Sequence, residues 1–158
     1  MPAPDAAAAA LQAFLIGPSA GDGGPHCAVV KATGVLPLDL GRLAQAAEGV
    51  RPGDVVVYAI TLEGSMMVRL LRLLTLGVRV ARAQRILLGT GAARVHRYAV
   101  LPTLERPTIA YEIGTAAAQY ADRHLRPRGA GGRLRTVIAR IAGVDPSIGA
   151  VVVAGLKS

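Results

Sequence analysis

Between Asp54 and Leu74 the hydrophobic pattern changes from a continuous run to a helical repeat. Val55, Val56 and Val57 are β-branched, and Tyr58 and Ile60 extend the run. Such a segment predicts a central strand covered on both faces. Arg51-Pro52-Gly53 breaks the chain before it, and Glu63-Gly64-Ser65 supplies a polar turn after it. Ser65 is placed to cap the helix that follows. There Val68, Leu71 and Leu74 recur at i, i+3 and i+6, with Leu70 and Leu73 beside them. This predicts an apolar stripe with Arg69 and Arg72 on the other side, and Gly77 as the stop.

The same reading extends along the chain. Cys27 to Thr33 alternates loosely and predicts a strand. Asp39 is a good N-cap for a helix over Leu40–Glu48, with Gly49 just past its end. Val78 to Leu88 fits two descriptions: a strand followed by a helical turn, or one helix with Arg79, Arg82 and Arg85 as a basic ridge. Arg94–Leu101 predicts a strand, 108–113 a short extended segment, and Ala150–Ala154 a terminal strand that pairs with the Val95–Leu101 strand. Helices are predicted from Thr115 to about Leu125 and over Arg133–Ala142. Residues 1–10, rich in Pro and Ala, read as a flexible tail, and 11–158 as one α/β domain. The expected architecture is a mostly parallel sheet flanked by helices, with an antiparallel C-terminal hairpin.

Composition narrows the function classes. The chain has 158 residues, 52% hydrophobic and 18% charged, which argues against disorder. Aromatics are only 3%, with no Trp, so stacking platforms for single-stranded nucleic acid are disfavoured. The net charge is +8, which attracts phosphate groups or an acidic partner but also suits a merely solvated basic face. The single Cys27 allows no internal disulfide and no CxxC metal site, and a reduced cytoplasm is the simplest setting. The longest uncharged run, from Ala6 to Gly21, is too short and too interrupted for a membrane span.

Motifs that would declare a reaction are sparse. Gly17-Pro-Ser-Ala-Gly-Asp-Gly-Gly-Pro25 follows an apolar run and could cradle a phosphate through backbone N–H groups, or act as a plain mobile loop. Its spacing matches neither standard phosphate loop. Three separated histidines without H-E-x-x-H spacing do not make a metal site. A Cys–His pair would need His96 or His124 to approach Cys27 in space.

Taken together, Asp54-Val-Val-Val57, Glu63, the Leu/Arg-rich helix, Arg97-Tyr-Ala-Val-Leu-Pro102, Leu104-Glu-Arg-Pro107 and Ala150-Val-Val-Val-Ala154 resemble the C-terminal half of class I S-adenosylmethionine-dependent methyltransferases. Val35-Leu-Pro-Leu-Asp39 and Leu101-Pro-Thr-Leu-Glu-Arg-Pro107 are similar to Leu-Pro segments of that family. The resemblance covers about residues 35–158. It departs from the family in lacking an acidic residue followed by Gly-x-Gly-x-Gly. It implies Glu63 as the catalytic-site carboxylate, Gly17, Gly21, Asp22, Gly23 and Asp39 as the S-adenosylmethionine contacts, no metal, and a small-molecule substrate. The residues themselves also allow Glu63 to be a helix N-terminal charge and Ser65 a simple cap. The expectation is therefore a small or degenerate methyltransferase-like protein. The alternative is a non-catalytic accessory subunit whose arginines dock an acidic protein. Homo-oligomerisation is left open.

Overall fold

The computed structural model describes residues 26–32, 40–104, 106–115 and 148–158. They form five strands and two helices: β1 (Cys27–Lys31), α1 (Leu40–Gly49), β2 (Val55–Thr61), α2 (Met66–Gly89), β3 (Ala92–Pro102), β4 (Pro107–Glu112) and β5 (Ala150–Lys157). The strands make one sheet in the order β1-β2-β5-β3-β4.

β1 pairs with β2 in parallel, and every other neighbouring pair is antiparallel. The expectation of a mostly parallel sheet is corrected here. β1, β2 and β3 do point the same way, but β5 enters between β2 and β3 from the opposite direction. That insertion turns a would-be parallel contact into two antiparallel ones. The expected pairing of the Ala150–Ala154 segment with the Val95–Leu101 strand is present, and β5 also pairs along the whole of β2.

β2 is the buried centre that its valine run predicts, with Val56 to Ile60 all buried. Alternate side chains enter two cores, as the period of two requires. Val56, Tyr58 and Ile60 join Val151 and Val153 of β5 under the helices, with Leu43 and Ala47 of α1 and Leu73, Leu76, Ala83 and Leu87 of α2. Val57 and Ala59 join Ala150, Val152, Val100 and Leu104 on the second face. α1 and α2 both lie on the first face. Gly149 lets β5 start close under β3: a Cβ there would lie 1.7 Å from the Pro102 carbonyl oxygen.

α2 runs unbroken to Gly89, so Gly77 does not end it and the open reading of Val78–Leu88 resolves as helix. One mid-helix glycine costs only about 1 kcal/mol, less than the burial of Val80, Ala83 and Leu87 returns. The Ser65 hydroxyl accepts from the Val68 N–H at 3.4 Å, the expected cap. The chain stops at Thr90, whose N–H donates back to Ile86 and whose hydroxyl bonds the Ile86 and Leu87 carbonyls. The predicted helix after Thr115 and that over Arg133–Ala142 lie outside the described residues, as does residues 1–10.

Candidate functional site

The loop at the carboxyl end of β2 was the expected site, and its geometry is set by arginines of α2. The Arg72 Nη1 donates to the Thr61 carbonyl at 3.0 Å, the Thr61 hydroxyl at 3.2 Å and the Glu63 carbonyl at 2.9 Å. The Arg69 Nη2 donates to the Ile148 carbonyl at 3.4 Å, reaching the start of β5. These arginines face inward, opposite to the side the leucine spacing predicts. The strand-end carbonyls supply the reason: they need donors, and guanidinium groups carry several.

Glu63 itself stands exposed in this loop, and its carboxylate makes no hydrogen bond or ion pair among the described residues. Gly17, Gly21, Asp22, Gly23 and Asp39 lie outside the described residues. Of the set that S-adenosylmethionine would need, the described residues therefore hold Glu63 alone. Ser65 is engaged as a cap.

At the opposite end of the sheet, polar groups serve the fold. Asp54 accepts from the His26 N–H at 2.9 Å and the Arg51 N–H at 3.3 Å, locking β1 beside β2. The Lys157 Nζ donates to the Ala47 carbonyl at 2.8 Å and the Thr90 carbonyl at 2.6 Å. One ammonium thus meets the carbonyl-rich ends of both helices, where the macrodipole favours positive charge.

Cys27 and His96 do not form a pair. β2 and β5 stand between their strands, a separation of at least about 14 Å at the usual strand spacing. Burial pushes the Cys27 thiol up to about 11, the opposite of an activated nucleophile. His124 lies outside the described residues. His96 is instead a half-exposed strand residue whose Nδ1 lies 2.6 Å from Glu112 Oε1 across the β3–β4 hairpin. The Tyr98 hydroxyl beside it is pushed up, first by burial and then by the Glu112 charge. No group of three or more His, Cys, Asp or Glu among the described residues is placed to hold a metal ion.

Among the described residues the arginines of these runs do not build a single patch. Arg79 is buried, Arg82 and Arg85 are exposed on α2, and Arg94 and Arg97 alternate across β3 on opposite faces of the sheet. Arg123, Arg126, Arg128, Arg133 and Arg135 lie outside the described residues.

The surface that the sequence reading missed is the outer side of α2. Leu71 and Leu74, expected in the core, are exposed together with Met67, Leu70 and Val78; Leu74 and Val78 each keep 55% of their surface in solvent. The inner side is Leu73, Leu76, Val80, Ala83 and Leu87. The helix is apolar on both sides, a pattern suited to a helix covered on both. The signal was present in the sequence as two leucine lines, 70/71/74 and 73/76, but the choice between them depended on Val80, Ala83 and Leu87 continuing the second. No helix among the described residues is long and apolar enough to cross a membrane. No protein-family model, no curated protein sequence and no solved structure matches this chain.

Proposed function

We propose that the chain is a non-catalytic accessory subunit that docks an acidic protein partner through the outer side of α2. One observation carries this reading: a line of exposed large apolar side chains, Met67, Leu70, Leu71, Leu74 and Val78, runs along one helix and leads into exposed Arg82 and Arg85. Exposed apolar patches of this kind mark interaction surfaces. Met66 and Met67 add adaptable, polarisable contacts at one end. Charge selects the partner. α2 carries five arginines and no carboxylate in 24 residues, within a chain of net charge +8. A second copy would meet only like charge along this helix, whereas an acidic surface is complementary.

The test is reconstitution. The protein that co-purifies with the chain from its own cells is identified, purified and titrated against it. The expected complex weakens with salt, loses at least about tenfold in affinity (1.4 kcal/mol) on R82E/R85E, and disappears with L71E/L74E while the melting temperature holds. A complex indifferent to both double variants overturns the reading. So does a chain that binds no protein and instead binds anionic lipid vesicles.

A second reading, a degenerate S-adenosylmethionine-dependent methyltransferase acting on a small metabolite, draws on Glu63 standing exposed at the carboxyl end of the buried central strand. Ligands of open α/β sheets sit at such ends. A bound cofactor raises the melting temperature by mass action. A clear rise with S-adenosylmethionine or its demethylated product, lost in Glu63→Gln or in Asp22→Asn, would favour this reading; no rise would remove it.

A further inference from the structure

We draw no further inference here: the strongest candidate, the half-exposed His96–Glu112 pair beside Tyr98 on the β3–β4 hairpin, carries nothing because no third His, Cys, Asp or Glu among the described residues joins it to hold a metal ion and nothing in the structure shows what else it would bind.

Discussion

The two sides of α2 have nearly the same composition and opposite fates. Leu73, Leu76 and Leu87 are buried against β2, β3 and β5, whereas Leu71, Leu74 and Leu88 face solvent. The hydrophobicity of single leucines does not decide which side builds the core. The inner line is the one that Val80, Ala83 and Leu87 continue to the end of the helix. Arg72 and Arg69 bind strand-end carbonyls at one end, and Lys157 binds the Thr90 carbonyl at the other. These polar contacts lie on the same side as the inner line, and the second leucine line faces outward.

This contrast is easiest to break on the inner side. Leu76→Ala should cost about 2–5 kcal/mol in urea denaturation, because it removes a buried side chain and leaves a cavity. The next largest effect falls on a tether. Lys157→Met keeps the apolar stem but strands the Ala47 and Thr90 carbonyls, and about 2–3 kcal/mol of stability should be lost. Smaller and opposite in sign, Gly77→Ala should gain about 1 kcal/mol, seen as a raised melting temperature, since the added methyl meets nothing.

The smallest effect extends the comparison to the second face of the sheet. Cys27 has its thiol raised from 9.0 to about 11 by burial. The unfolded chain releases that proton first as pH rises, so the folded state binds more protons in the interval. The contribution of Cys27 is therefore complete below pH 9 and is lost between about 9 and 11. Denaturation across that range should show wild type losing slightly more stability than Cys27→Ala.

What was legible in the sequence was local. The valine run of β2, the Ser65 cap, the α1 helix from Leu40 and the pairing of β5 with β3 each follow from period, turn chemistry or capping within a few residues. Strand direction was not legible, because no local signal says that Ala150–Lys157 enters between β2 and β3 rather than at an edge. Gly77 was read as a stop since glycine commonly follows helix ends, yet Thr90 and Gly91 provide the actual one. For the candidate site, the position of Glu63 after the central strand was readable, while the grip of Arg72 on that loop was not. The outer side of α2 was hidden because its leucines look like core until the other line is followed through Val80, Ala83 and Leu87.

The account turns on the outer leucines being dispensable to the fold. The direct measurement is urea denaturation of the full chain carrying L71Q/L74Q. The account predicts a stability within about 0.5 kcal/mol of wild type, as for other exposed positions. A loss of about 2 kcal/mol or more would place Leu71 and Leu74 in the chain's own core and contradict a docking face on α2.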